Sequence, residues 1–149
     1  MRRRPATIRQ EWTDLVRSRL ESAKRAFVLL FVYGTLKRGE SNHAQLEGAR
    51  FVKRASTAPE YELVDLGGFP ALLEDGSTAV SGELYDVDDD HLAALDAFED
   101  VPTLYERRPI RVAGMSVETY VMRREHAEDA PRIGGGDWRK HRRETDARS

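Results

Sequence analysis

The sequence predicts an α+β fold: a small, mixed and mostly antiparallel β-barrel with short flanking helices and an N-terminal helical extension. Three observations predict it. About six segments have the composition and alternation of β-strands, few segments have helical periodicity, and strands do not alternate regularly with helices as in a parallel βαβ architecture. With 149 residues, the chain has the length of one domain.

The chain divides by composition into three predicted regions. Residues 1–25 are a basic helical extension, residues 26–125 the main domain, and residues 126–149 a charged C-terminal segment. Apolar residues recur at helical spacing in the extension: Trp12, Leu15, Val16 and Leu20. The C-terminal segment is interpreted either as a lid that docks late or as a frayed terminus.

The first half of the main domain begins with its most apolar strand. The run from Ala26 to Tyr33 is β-branched and aromatic and stops at Gly34, which is typical of a strand buried on both faces. We expect it to be the central strand. A short helical turn follows over residues 41–46, and extended segments are expected near residues 50–64 and 69–73.

The second half contains the predicted helix and the last two strands. A strand over residues 80–87 precedes a helix that Asp88 to Asp90 cap and that continues through Phe98. Strands over residues 105–112 and 117–122 are expected to meet at a turn formed by Ala113 and Gly114. Pro109 marks an edge position, because proline cannot donate a ladder hydrogen bond.

Charge is distributed unevenly along the chain. Residues 1–25 have a net charge of +5, residues 26–122 a net charge of −9, and residues 123–149 a net charge of +2. An acidic body repels a phosphate backbone, so this pattern disfavours nucleic-acid binding. The simplest interpretation of the basic ends, which requires no nucleic-acid partner, is that they fold back on the acidic body or stay solvated.

Several functional classes are excluded by composition and spacing. The longest apolar run is far shorter than the roughly 20 residues needed to cross a bilayer, so no membrane span is expected. The chain has no cysteine, which fits a reducing compartment, and we expect a cytoplasmic protein. The four histidines lack ligand spacing, and nucleotide-binding glycine motifs are missing, so neither metal nor cofactor is expected.

The loop after the first strand is the first candidate site. Tyr33, Gly34, Thr35, Leu36 and Lys37 follow a buried strand that ends abruptly at a glycine. Such a turn can direct successive backbone N–H groups at one point and bind a carboxylate or phosphate. The alternative is an ordinary turn, because glycine is common after strands.

The second candidate is Glu99. It falls on the same helical stripe as Leu92 and Leu95, so its carboxyl is expected to point inward near the end of the helix. Burial, the helix dipole and the neighbouring acidic residues would all raise its pKa toward the range of a general acid/base. The alternative is that the helix frays at Phe98 and Glu99 faces water.

Two residues of the following strand are also candidates. Tyr105 and Arg107 are two positions apart, so both lie on one face of an extended segment. They are placed to hydrogen-bond a ligand or Glu99. A cross-strand pair on a solvated face explains the same spacing.

The ordered combination of five blocks resembles the γ-glutamylcyclotransferase superfamily, and most closely its γ-glutamylamine cyclotransferase and AIG2-like branch. The blocks are Tyr33–Gly39, Asn42-His43, Gly82–Tyr85, Leu95–Glu99 and Tyr105–Arg107. The resemblance covers roughly residues 27–122. It implies a small mixed-strand barrel with flanking helices, in agreement with the α+β prediction.

The resemblance also implies roles for the candidate residues. The loop Tyr33 to Leu36 would bind the α-carboxylate of a small γ-glutamyl substrate, and Glu99 would be the catalytic acid/base, with no metal or cofactor. The implied reaction forms 5-oxoproline, as the free α-amine attacks the γ-carbonyl and expels an amine. A loop N–H or the Tyr105 hydroxyl would stabilise the developing charge, and Lys37 and Arg107 are secondary candidates.

Two other functions stay open from sequence. One is a cyclotransferase that acts on a γ-glutamyl group linked to a carrier protein, which the basic extension would steer toward the enzyme. The other is a non-catalytic module that binds small carboxylates or a protein partner. An inward-facing Glu99 argues against the second, because a carboxylate pocket gains nothing from another carboxylate.

Overall fold

The structure is a computed structural model that describes residues 10–14, 16 and 27–148. Residues 10–14 and 16 are helical, as predicted for the N-terminal extension, and Trp12 is 66% exposed. The rest of the predicted extension, including Leu15 and Leu20, lies outside the described residues. No helix among the described residues is long and apolar enough to cross a membrane.

The described part of the chain forms a mixed α+β fold. Seven strands make one sheet: β1 (Phe27–Val32), β2 (Arg50–Ser56), β3 (Tyr61–Asp65), β4 (Pro70–Glu74), β5 (Ser81–Asp88), β6 (Glu106–Val112) and β7 (Met115–Val121). Helix α1 is Asp89–Phe98 and helix α2 is Trp138–Arg148, and short 3-10 turns cover His43–Leu46 and Arg124–His126. The segment predicted near residues 50–64 is therefore two strands.

The strand order is β2-β5-β1-β7-β4-β3, with β6 paired to β7. Strand β1 lies in the interior, as predicted, between antiparallel β5 and parallel β7. Strands β4 and β7 are also parallel, whereas β2–β5, β3–β4 and β6–β7 are antiparallel. The sheet is thus mixed and mostly antiparallel.

The predicted closed barrel is wrong for the described residues, in which the sheet stays open. Thr57, which follows β2, forms an isolated bridge with Val112 of β6. The outer edge of β3 bonds instead to the C-terminal segment: Ile133 N donates to Leu63 O at 2.7 Å, and Asp65 N donates to Pro131 O at 2.9 Å. These bonds occupy the edge groups that barrel closure would need.

Alternation along β1 divides the core between the two faces of the sheet. Leu30 and Val32 pack in one cluster with Leu95 of α1, whereas Phe31 packs in the other with Trp138 of α2. The second half of β1 is buried as predicted, but Phe27 at its start is 58% exposed. Both faces are covered because each helix packs against one of them.

The predicted turn and cap positions hold. Asp88 is the N-cap of α1, and its carboxylate accepts a hydrogen bond from the N–H of His91 at 2.8 Å. Ala113 and Gly114 have positive φ in the two-residue turn between β6 and β7. Pro109 lies in β6, which pairs through β7 at the margin of the sheet.

Trp138→Ala is expected to lower the free energy of unfolding by about 3–5 kcal/mol, because it removes a large core side chain. Trp138 is only 1% exposed. The matched control is Trp12→Ala, with an expected change within about 0.5 kcal/mol. Urea unfolding followed by far-ultraviolet circular dichroism measures both, and equal destabilisation would contradict the docking of α2.

Candidate active site

A cavity of about 250 Å³ opens beside the loop that follows β1. It brings together all six residues that the sequence indicated as primary candidates: Tyr33, Gly34, Thr35, Leu36, Glu99 and Tyr105. No residue of 126–148 lines it, so the lid interpretation of that segment stays a prediction. The loop and the end of α1 therefore face one ligand-sized space.

The loop forms an amide cradle, which consists of the N–H groups of Gly34, Thr35 and Leu36. Lys37 N–H closes the turn by donating to Gly34 O at 3.1 Å, and Asn42 holds the loop through Thr35 O and Thr35 Oγ1. The three cradle N–H groups donate to no acceptor among the described residues. Successive free donors of this kind suit a carboxylate or another anion.

A close approach to β4 requires the glycine that begins the loop. A Cβ atom on Gly34 would lie 2.4 Å from Pro70 Cγ, which is too close for any side chain. Pro70 also accepts, through its carbonyl, a 2.9 Å hydrogen bond from the Tyr105 hydroxyl. Packing against Pro70 thus fixes both the cradle and Tyr105 at the cavity.

Glu99 is the C-cap of α1 and its carboxyl is only partly exposed. The carboxyl of Glu99 forms no hydrogen bond or ion pair with the described residues, yet its oxygens are not sealed from solvent. Burial raises the pKa of Glu99 from 4.5 to about 7. The predicted direction of the pKa shift is confirmed, and burial is its cause rather than the neighbouring acidic residues.

The neighbouring acidic side chain is already neutralised by ion pairing. Arg107 Nε donates to Asp96 Oδ1 at 2.9 Å, and Arg107 Nη1 donates to Glu118 Oε1 at 2.7 Å. Tyr120 donates its hydroxyl to the same Asp96 oxygen at 2.8 Å. Asp96 is therefore paired away from the cavity, and Glu99 is the acidic residue among the described residues that lines it.

The hydroxyl groups of three tyrosines that line the cavity all donate hydrogen bonds. Tyr33 donates to Tyr120 O at 2.6 Å, and Tyr105 donates to Pro70 O. Burial and the charge of Glu99 raise the pKa values of Tyr33 and Tyr105. Burial, followed by the bond to Asp96, raises the pKa of Tyr120. All three therefore act as neutral phenols.

Two secondary candidates lie elsewhere. Arg107 pairs with Asp96 and Glu118 and does not line the cavity, so the predicted bond to Glu99 is not formed. The side chain of Lys37 lines a different cavity. Tyr105 is at the cavity, but its hydroxyl bonds to Pro70 O rather than to Glu99.

Sequence reasoning missed part of the lining. Tyr120 lies opposite Arg107 in the β6–β7 register. Counting residues outward from the turn at Ala113 and Gly114 would therefore have placed Tyr120 on the same face of the sheet as Arg107. The mouth carries an apolar rim, which consists of Phe69, Phe98 and Leu104, exposed at 39%, 42% and 37%. The signal that the sequence offered for the rim was the presence of large apolar residues in or beside predicted loops.

Several known proteins are similar to this chain in sequence and in fold. The family model described as "Gamma-glutamyl cyclotransferase, AIG2-like" matches residues 30–140. The chain belongs to this family. It is 44% identical over 110 residues to a Vibrio cholerae protein named as a candidate γ-glutamylcyclotransferase, a match that covers 74% of this chain and 94% of the relative.

The chain is also similar to vertebrate proteins and to proteins of solved structure. The human γ-glutamylaminecyclotransferase is 44% identical over 93 residues, which cover 56% of this chain and 61% of the human protein. The crystal structure of a mouse AIG2-like protein is 35% identical with a TM-score of 0.58, covering 67% of this chain and 78% of that one. An E. coli protein specific to uropathogenic strains is 27% identical with a TM-score of 0.71, covering 78% and 96%.

These matches establish a γ-glutamyl cyclotransferase-like enzyme with the mixed α+β fold of its relatives. The predicted resemblance is confirmed. Among the described residues, no group of three or more His, Cys, Asp or Glu side chains could hold a metal ion.

The raised pKa of Glu99 predicts a pH-dependent stability difference between the wild type and Glu99→Gln. Below pH 4.5 the carboxyl is protonated in both folded and unfolded chains. Between pH 4.5 and about 7 the unfolded chain releases this proton while the folded chain keeps it, so the wild type progressively loses stability, and the loss is complete above about pH 7, where the folded carboxyl is also ionised. Glu99→Gln should then be more stable than the wild type by up to about 3 kcal/mol above pH 8, and nearly equal near pH 4.

Urea denaturation across this pH range measures the difference. Glu128→Gln is the matched control, because Glu128 is exposed. A Glu99→Gln difference that does not grow with pH would show that the carboxyl is ordinarily hydrated.

Proposed function

We propose that this enzyme converts a γ-glutamyl amine to 5-oxoproline and a free amine. One observation carries the proposal: a single cavity contains an amide cradle with unused donors and an unpaired carboxyl with a pKa of about 7. The vertebrate relatives named γ-glutamylaminecyclotransferase support the choice of an amine substrate.

The cradle is proposed to bind the α-carboxylate of the substrate. Glu99 is the only charged residue that lines the cavity, so within the described residues no side-chain cation competes for this role. The N–H groups of Gly34, Thr35 and Leu36 supply directed donors without a charged side chain. Anchoring the carboxylate there would hold the substrate folded for five-membered ring closure.

Glu99 is proposed to move the proton. The α-amine attacks the γ-carbonyl carbon, a new C–N bond forms, and the amine loses a proton to the Glu99 carboxylate. The tetrahedral intermediate then expels the leaving amine, which takes that proton as the old C–N bond breaks. A pKa of about 7 allows one carboxyl to accept and return a proton at neutral pH.

The developing oxyanion needs a donor, and two were predicted. The Tyr105 hydroxyl already donates to Pro70 O at 2.9 Å and would have to break that bond. A cradle N–H group is unused among the described residues. We therefore favour a cradle N–H as the oxyanion donor.

The apolar rim is proposed to select the leaving amine. Phe69, Phe98 and Leu104 present apolar surface at the mouth, and no cation among the described residues lines the cavity to pair with a carboxylate on the leaving group. An amino acid leaving group would need such a partner or remain hydrated. Apolar amines without a carboxylate are therefore the favoured leaving groups.

Glu99→Gln should lower kcat/KM by about 10²–10⁴, because glutamine cannot transfer the proton. In the wild type, kcat/KM should rise with pH through about 7 as the carboxyl ionises. Release of 5-oxoproline from γ-glutamyl amines measures both quantities. Glu128→Gln, a surface variant with the same change of charge, should retain full activity, and comparable rates for all three proteins would refute the role of Glu99.

Phe98→Ala should raise KM about tenfold for γ-glutamyl derivatives of apolar amines, since truncation removes apolar contact at the mouth. The KM for γ-glutamyl methylamine should change little, because its small leaving group does not reach the rim. Phe27→Ala is the control, since Phe27 is exposed away from this cavity. A wild-type preference for γ-glutamyl amino acids over apolar amines would contradict the assignment.

A further inference from the structure

A second cavity of about 550 Å³ lies between β2, β5 and the start of α2. It shares no lining residue with the active-site cavity. Among the described residues, its charged lining consists of four cations, Lys37, Arg54, Arg139 and Arg143, and two carboxylates, Glu83 and Asp137. Lys37 and Arg54 come from residues 26–122, whose net charge is −9, and Arg139 and Arg143 come from residues 123–149, whose net charge is +2.

Lys37 is the least expected of these cations, because it is only 5% exposed. Its ammonium forms no hydrogen bond or ion pair with the described residues, and it is not sealed from the cavity. Burial lowers the pKa of Lys37, while the charges of Asp137, Glu40 and Glu83 oppose that shift and that of Arg139 adds to it. A buried ammonium without a partner is costly unless a ligand supplies one.

Each carboxylate of the cavity accepts hydrogen bonds from groups other than Lys37. Glu83 Oε1 accepts from Arg38 N at 2.9 Å and from the Tyr85 hydroxyl at 3.1 Å. Asp137 Oδ1 accepts from Lys140 N at 3.0 Å. The wall thus contains carboxylates that offset part of the charge without pairing with Lys37.

The two remaining arginines are equally available. Arg54 and Arg143 are exposed and have no hydrogen bond or ion pair with the described residues. Arg139, in contrast, donates to Glu40 Oε2 at 2.9 Å and to Arg38 O. Three cations with unused donors therefore line one concave space, together with the hydroxyl-bearing Ser56 and Ser81.

We propose that this second cavity binds a phosphate group, either as free phosphate or on a small phosphorylated molecule. A phosphate dianion offers three or more acceptor oxygens and a charge near −2, which matches Lys37, Arg54 and Arg143 better than the two oxygens of a single carboxylate. The volume accommodates a phosphate with an attached small group.

Isothermal titration of the full chain with inorganic phosphate, in an amine buffer of matched ionic strength, tests the proposal. The wild type should bind saturably, and the double variant Arg54→Gln, Arg143→Gln should bind at least tenfold more weakly. Arg111→Gln is the control for loss of surface charge, because Arg111 is exposed and does not line the cavity. No saturable binding, or equal weakening by the control, overturns the proposal.

A parallel titration with a sugar phosphate and a nucleoside monophosphate separates the two sources. Tighter binding of an organic phosphate identifies a phosphorylated molecule, and equal affinities identify free phosphate. Lys37→Met, checked for folding by circular dichroism, should weaken binding of each.

The amide cradle is the competing location for the anion, and kinetics distinguish the two. Phosphate in the second cavity should not compete with the γ-glutamyl substrate. Competitive inhibition, together with unchanged binding by the double arginine variant, would place the anion in the cradle and overturn the proposal. This outcome does not depend on the identity of the leaving amine.

Discussion

The site depends on one carboxyl group that is largely buried and has no hydrogen-bond partner among the described residues. Glu99 ends α1 at the cavity, where burial alone raises its pKa to about 7. The tyrosine hydroxyls around it donate elsewhere: Tyr33 and Tyr105 donate to backbone carbonyls, and Tyr120 donates to Asp96. A single donor directed at Glu99 would stabilise its charge and lower its pKa.

The packing around β1 brings this carboxyl and the amide cradle together. Strand β1 lies between β5 and β7, and the loop after it begins with Gly34 because Pro70 of β4 leaves no room for a side chain. Leu95, on the buried face of α1, packs in the same cluster as Leu30 and Val32. The contacts that form the core thus set the position of the proposed chemistry.

Local patterns predicted much of this structure, and non-local contacts explain the rest. Alternation and turn residues indicated β1, α1 and the β6–β7 hairpin, since each depends on neighbours in sequence. The inward orientation of Glu99 followed from its spacing to Leu95. The open sheet did not follow, because it depends on Ile133 and Pro131 bonding to β3 from a distant segment. The three residues of the apolar rim lie in two loops and at the end of α1. The spacing of apolar residues within one element therefore did not reveal the rim.

Residues 131–133 form hydrogen bonds along the outer edge of β3, and their removal is expected to affect the solubility of shortened chains. Ending the chain before Pro131 would bare the backbone groups of Leu63 and Asp65 along the outer edge of β3. Exposed edges of this kind pair with strands of other molecules. The C-terminal residues therefore protect the enzyme against self-association as well as completing its core.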